Sequence, residues 1–269
     1  MLGDIFLQTW AIANQKGGVG KTTTAVNLGG LLAEKGYRVL LLDLDPQTSL
    51  TSYFGVNSDE QAFNIYHCMT HLEWDAKGLK ERAILSTGVE HLSFISGSIA
   101  LATIDRQLDQ LQGKGFVLSK MLEKLQEYFD YVILDCPPIL GILLINALAV
   151  CQRLLIPCQT EYLALKGLER MLNTVHMVAK AGKSDFIYTI IPTLFDRRTL
   201  ASVKALRTMR DKYPEALWQN VIPIDTKFRD ASLAHQPLNV FEPETQGTHG
   251  YRVLIKHLLQ GSIKGSEAS

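Results

Sequence analysis

Apolar and polar positions fall into blocks along the chain, and the blocks recur in a strand–helix–strand order. Gln8 to Ala13 is a short, mostly apolar run that ends at a Gly-rich turn and predicts a first strand. From Lys21 to Lys35, Ala25, Leu28, Leu31 and Leu32 fall at helical spacing, and the segment stops at Gly36. That combination predicts a helix with a glycine stop signal. Arg38 to Leu42 then reads as an apolar run, the mark of a strand buried on both faces. Further strands are predicted at His91–Ile95, Tyr131–Leu134, Arg153–Pro157, Phe186–Pro192 and Gln219–Ile222. Helices are predicted near 60–70, 116–128, 141–150, 164–181, 199–212 and 246–260. Alternating strands and helices imply an α/β fold: a mainly parallel, twisted sheet with helices on both faces. Ligands of such sheets sit beyond the carboxyl ends of the strands, so the chemistry is expected there.

The turn after the first strand carries the strongest motif. Residues 15–23 read Gln-Lys-Gly-Gly-Val-Gly-Lys-Thr-Thr. Glycines let backbone N–H groups fold around phosphate, and the helix N-terminus that follows favours an anion. Gly17, Gly18, Val19 and Gly20 are therefore expected to cradle phosphates, with Thr23 beside them. Lys21 reaches the β- and γ-phosphates, and the Thr22 hydroxyl holds Mg²⁺. Asn14 and Asn146 are weaker candidates for phosphate or its waters. The second strand runs out into Asp43-Leu-Asp45-Pro. Strand alternation would put the two carboxylates on one side. Uncompensated burial of acids is costly, so a cation nearby is the natural reason for them. A helix-cap role for Asp45 is the alternative. Tyr131 to Pro138 reads Tyr-Val-Ile-Leu-Asp-Cys-Pro-Pro, an apolar strand ending in Asp135. Beside a phosphate loop, that pattern holds Mg²⁺ directly or through water.

Lys16 is not required by the common phosphate loop. Lys-Gly-Gly-Val-Gly-Lys-Thr-Thr resembles the deviant Walker A motif of the ParA/MinD family of P-loop NTPases, over roughly residues 8–260. The resemblance implies one ATPase domain over 1–269, with a polar tail at 261–269, using ATP/ADP and Mg²⁺. It implies an ATP-dependent homodimer in which Lys16 crosses to the partner's nucleotide, as an arginine finger does in trans. Lys16, Lys21 and Asp45 would be the catalytic set, with Asp45 activating the attacking water. Thr22, Asp43 and Asp135 would form the Mg²⁺ shell. Ile139 to Leu148 resembles the family's second switch, and Pro223 matches in position the loop that approaches adenine. The expected partners are nonspecific DNA and a stimulating cargo adaptor, ParB-like or equivalent.

Global charge adds little, because Lys plus Arg equals Asp plus Glu at 27 each. A phosphate-binding surface must then be a local patch. The clearly basic segment is 197–212, with Arg197, Arg198, Lys204, Arg207, Arg210 and Lys212 against Asp211. It reads either as a solvated helix face or as a DNA contact; the resemblance favours the second and adds Lys227 and Arg229. Many ParA chains carry Arg-Asn-x-Arg after their Ile-Pro. Here Ile224 and Asp225 stand in the first two places, a variant similar to members that position protein clusters such as chemotaxis arrays.

Cys68, Cys136, Cys151 and Cys158 form no C-x-x-C pair and are expected to be packing thiols in a reduced, cytoplasmic compartment. No signal peptide is expected, nor room for an N-terminal helix-turn-helix. Tyr251 to Gln260 is amphipathic but is expected to close the core and not to insert in a membrane. A P-loop synthetase or phosphotransferase is the main alternative function. An electron-transfer ATPase with an interface iron–sulfur cluster is a second, and a tyrosine kinase would want a C-terminal tyrosine cluster.

If each protomer neutralises about three phosphates, DNA affinity falls with a log–log salt slope of about −2.7 for a monomer and about −5.4 for a dimer. A fourfold rise in salt should then weaken binding about 40-fold with ADP and about 2,000-fold with ATP. Binding to duplex DNA measured at two salt concentrations with each nucleotide checks this; equal slopes would reject it.

Overall fold

The computed structural model describes residues 7–104, 116–182 and 186–263. Strand β1 (Gln8–Ile12) leads through the Gly-rich loop into helix α1 (Lys21–Glu34) and strand β2 (Val39–Asp43). Helices α2 (Ser49–Tyr53), α3 (Ile65–Thr70) and α4 (Ala76–Ala83) precede strands β3 (Ile84–Ser86) and β4 (Leu92–Ile95). Then come α5 (Val117–Leu125), β5 (Tyr131–Asp135), α6 (Ile142–Val150), β6 (Arg153–Gln159), α7 (Tyr162–Gly182) and β7 (Ile187–Thr193). The chain continues through α8 (Leu200–Lys212), α9 (Lys227–Leu233), α10 (Leu238–Phe241) and α11 (Gln246–Ile263).

The strands make one seven-stranded sheet in the order β3-β4-β2-β5-β1-β6-β7. Every pairing is parallel except β3 with β4 at one edge. The α/β class and its parallel sheet are therefore as the hydrophobic blocks predict. Alternate residues of the central strands feed two cores. Leu40, Leu42, Val132 and Leu134 pack under the helices on one face. Val39, Leu41, Tyr131 and Ile133 pack on the other with α1 residues Leu28, Leu31 and Leu32. Helix α11 closes that second core through Tyr251, Leu254, Ile255 and Leu258, the packing role expected of it. The Tyr251 hydroxyl meets the Thr24 hydroxyl at 2.9 Å, so its one polar atom is satisfied inside the core.

The strand expected at Gln219–Ile222 is absent. This segment runs beside β7 without forming a continuous ladder: Ile222 N donates to Pro192 O at 2.8 Å, and isolated bridges join Ile190 with Leu217 and, just beyond β7, Phe195 with Pro223. The Gln219 side chain donates to the carbonyls of Pro214 and Leu217, which holds the start of the segment in a local turn. The helix expected over 60–70 begins only at Ile65, because Asn64 caps it by accepting from Tyr66 N at 3.1 Å. The short helices α2, α4, α9 and α10 and the edge strand β3 carry too few turns or residues for periodicity to reveal. Part of the segment between β4 and α5 lies outside the described residues, as does the tail 264–269.

Close approach fixes one glycine of α1. A Cβ on Gly30 would lie 2.5 Å from both Asn239 Oδ1 and Pro237 Cβ, at the start of α10. Gly30→Ala should lower folding stability by roughly 1–2 kcal/mol, overpacking outweighing alanine's better helix propensity. Urea unfolding checks this; an unchanged or raised midpoint would mean the contact yields freely.

Candidate functional site

Strand order brings three loops together. β5 lies between β1 and β2, so the carboxyl ends of these strands are neighbours, and Asp135 pairs in register with Ile12 on one side and Asp43 on the other. The loop leaving β1 wraps above them. Gly18 and Gly20 have φ of 72° and 90°, a backbone conformation that favours glycine and turns successive N–H groups inward. Asn14 braces the loop. It donates to Pro157 O at 2.7 Å and accepts from Lys16 N at 3.0 Å. Its expected phosphate contact is thus replaced by a supporting one. Val19 is buried, and its carbonyl accepts from Thr193 Oγ1 at 2.8 Å.

The loop borders a cavity of about 460 Å³. Residues 17–23 form one wall, and Pro223, Phe228 and Tyr251 stand on the far wall. Asp45 and Arg229 also line it. The cavity thus has a donor-rich end at the loop and an apolar end at Pro223 and Phe228, the two halves a nucleotide needs. Arg229, read from sequence as a nucleic-acid contact, lies at this cavity instead, because α9 folds back over it. Asp225 shapes the far wall: its two oxygens accept from Lys227 N and Gly247 N, both at 2.9 Å.

Below the loop, Thr22 Oγ1 donates to Asp135 Oδ2 at 2.6 Å. Asp135 is buried, and its Oδ1 has no hydrogen-bond partner among the described residues. Burial, with Asp43 adding repulsion, pushes the carboxyl up to about 8. A buried orphan oxygen beside a hydroxyl is a poor resting state, and a hard, oxygen-loving cation would satisfy both groups. Thr22 and Asp135 therefore fit Mg²⁺.

Asp43 and Asp45 part company, because the strand ends at Asp43. Asp43 is fully buried and does not line the cavity. Its Oδ2 accepts from Thr51 N at 2.9 Å and from Thr51 Oγ1 at 2.6 Å, and its Oδ1 from Asp45 N at 3.2 Å. Burial raises it to about 6 against those bonds. Its place is behind the metal site, holding the turn. Asp45 faces the cavity and accepts from Gln47 N at 2.9 Å. The N-cap of α2 is Thr48, so the helix-cap alternative for Asp45 is not what the structure shows.

Lys16 points away from the cavity. Its Nζ pairs with Glu161 and donates to Gln159 Oε1 at 3.2 Å, at the end of β6 and the start of α7. Asn146 is committed elsewhere: it accepts from Leu118 N at 3.3 Å and donates to Ile142 O at 3.0 Å, tying α5 to α6. Ile139 and Leu140 of the second-switch segment are exposed. All four cysteines are free and buried, and burial pushes the Cys136 thiol far up, so none is a nucleophile or a surface cluster ligand.

The basic segment is only half available. Arg198 pairs with Asp196 at 2.9 Å, Lys212 with Glu169 at 2.7 Å, and Arg210 donates to Gln219 O at 2.8 Å. Arg197, Lys204 and Arg207 are exposed and make no ion pair among the described residues. Lys227 is held by Asp230 at 3.2 Å. Among the described residues no helix is long and apolar enough to cross a membrane.

The sequence and the fold both match known proteins. A family model described as an AAA domain matches residues 7–188. The sporulation initiation inhibitor protein Soj of Bacillus subtilis is 37% identical over 92% of this chain and 96% of its own. The chromosome partitioning protein ParA of Myxococcus xanthus is 31% identical over 93% of this chain and 87% of its own. Cobyrinic acid a,c-diamide synthase from Mycobacterium smegmatis, with bound ADP and magnesium, superposes with a TM-score of 0.82 at 31% identity, covering 96% of each chain. The ATP complex of a Cyanothece McdA variant gives 0.82 at 25%, covering 95% of this chain and 97% of its own.

A carboxyl raised from 3.8 to about 8 contributes stability that is present below its unfolded value and lost as pH rises towards 8. The metal-free protein should therefore lose thermal stability between about pH 4 and pH 8, with Asp43 contributing up to about 6. Asp135→Asn should flatten that loss and abolish the stabilisation given by Mg²⁺ with ATP. Thermal melts across pH check this; an unaltered slope would show that Asp135 is ionised without metal.

Proposed function

The chain belongs to the ParA/MinD family of P-loop ATPases, and from that premise we propose that it is a nucleotide-switched dimer that positions an intracellular cargo. Relatives named for chromosome partitioning support the broad role of partitioning ATPase. The observation that carries the finer reading is the division of labour at the loop. Lys21 and the loop amides face the chain's own cavity, whereas Lys16, five residues earlier, faces away from it.

ATP and Mg²⁺ occupy the cavity in this reading. Amides of residues 17–23 and Lys21 hold the phosphates, and Pro223 with Phe228 flanks the base. Thr22 and Asp135 hold Mg²⁺, which neutralises charge on the phosphate oxygens when bound. Asp45, the carboxylate that faces the cavity, orients and deprotonates the attacking water. Asp43 keeps the Asp45 turn in place through Thr51. Lys16 leaves Glu161 and meets the nucleotide of a twin subunit, so two protomers close over two nucleotides. The ATP dimer rides on DNA through Arg197, Lys204 and Arg207, and an adaptor protein stimulates slow basal hydrolysis to release it. The setting is the cytoplasm, at the nucleoid. The cargo is DNA or a large protein assembly.

The likeness to cobyrinic acid a,c-diamide synthase favours one other reading, an amidating synthetase. That enzyme class would hydrolyse little ATP without its second substrate, whereas a partitioning ATPase turns over alone.

Asp45→Ala should lower ATP turnover about 100-fold or more and leave ATP-driven self-association intact. Lys16→Ala should abolish self-association with ATP and lower turnover about 1,000-fold or more. Sedimentation and phosphate release measure both. A Lys16→Ala protein that still dimerised and turned over normally would leave a plain P-loop enzyme.

A further inference from the structure

The face that carries Lys16 also holds a basic pocket of about 330 Å³, outside the nucleotide cavity. Gln15 and Lys16 line it from the phosphate loop, and Leu163, Lys166, Gly167 and Arg170 from the first turns of α7. Positions 163, 166, 167 and 170 share one face of that helix. Gly167 keeps the floor open, since a Cβ there would meet only Lys16 Cβ, at 3.8 Å. Three basic residues line the pocket, and no carboxylate does. Lys166 and Arg170 are exposed and make no ion pair among the described residues. Glu169, the acid beside Arg170 on the helix, is taken up by Lys212 at 2.7 Å. Leu163 and its neighbour Tyr162 stand 68% and 67% exposed at the rim, an apolar shoulder next to the charge.

We infer that this pocket receives an acidic segment of a partner protein, carboxylates set beside an apolar side chain, and that the segment holds Lys16 in its own subunit. Lys166 and Arg170 make no ion pair among the described residues and repel each other and Lys16, and an incoming carboxylate relieves that. Exposed ion pairs are individually weak, so the apolar shoulder is needed for affinity. A protein fits better than a nucleic acid. The pocket is concave and about two helical turns long, and phosphates gain nothing from Leu163 and Tyr162. In the reading above, the exposed Lys204 and Arg207 on α8 serve the duplex. Glu161 already pairs with Lys16 from one side, and a partner carboxylate adds a second claim on it. This second half of the inference rests on the reading of Lys16 as the residue that crosses to a twin. By linkage, a ligand that prefers Lys16 at home opposes the ATP dimer, and ATP weakens that ligand by the same factor. The partner is therefore one that resets the dimer.

The probe is a short fluorescent peptide of alternating glutamate and leucine, titrated by anisotropy against the full chain. Without nucleotide the wild type should bind it. Lys166→Glu with Arg170→Glu should weaken binding about tenfold or more, and Lys204→Glu with Arg207→Glu should leave it unchanged. A nonhydrolysable ATP analogue should weaken peptide binding, and the peptide should shift dimerisation to higher protein concentration. Equal loss in both double variants would overturn the site, as would retention in the first. So would loss of duplex DNA binding, but not peptide binding, in the first. Tighter peptide binding with the analogue would overturn the claimed opposition. The two halves separate cleanly: if the wild type never dimerises with ATP, the reading of Lys16 falls, while the nucleotide-free titration still decides the pocket.

Discussion

A buried carboxyl at the end of the central strand sets the terms for the rest of the molecule. Asp135 sits where β1, β2 and β5 end side by side, shares one oxygen with Thr22, and leaves the other without a protein partner among the described residues. A group in that position is a liability to the metal-free fold and an asset once a cation arrives. The sheet around it is arranged to bear that cost. Only the edge strand β3 runs antiparallel, and β1, β2 and β5 are buried almost throughout, between two cores. The loop above Asp135 is held by Asn14, Thr193 and the packing of Val19.

The two acids after β2 show how backbone geometry assigns roles to like residues. Their spacing would pair them on an extended strand, but the strand stops at the first. Asp43 then spends its oxygens on Thr51 and the Asp45 amide, and so fixes the turn that aims Asp45 at the cavity. The pair works in series, with the buried member positioning the accessible one. The same logic governs the two lysines of the loop. Lys21 begins α1 and is nearly buried at the cavity, and Lys16 precedes the glycines and is drawn off by Glu161. The charge on the outward side is thus paired by residues between β6 and the start of α7.

Legibility followed the range of the interactions involved. Glycine, lysine and threonine between a strand and a helix state their chemistry locally, because cradling a phosphate is a backbone property of consecutive residues. Asp45 and Asp135 were legible for a similar reason: each follows an apolar run that can only be a buried strand. The amphipathic closing helix was legible from its period alone. What the sequence by itself determined, then, was the class of fold, the loop and the acids beside it.

Tertiary structure decided everything that depends on segments far apart in the chain. Arg229 carries a positive charge wherever it stands, but only the placement of α9 puts it at the cavity beside the phosphate loop. Asn146 looks like a phosphate contact until α5 is packed against α6 and takes its side chain. Half the basic segment at 197–212 is spent on Asp196, Glu169 and a carbonyl, pairings that no linear charge count contains. Lys16 and Glu161 are 145 positions apart and meet because β1 and β6 are neighbours in the sheet. The physical reason is common to all four. Side-chain partners are chosen by proximity in space, and proximity between distant segments is set by strand order, which hydrophobic periodicity does not encode.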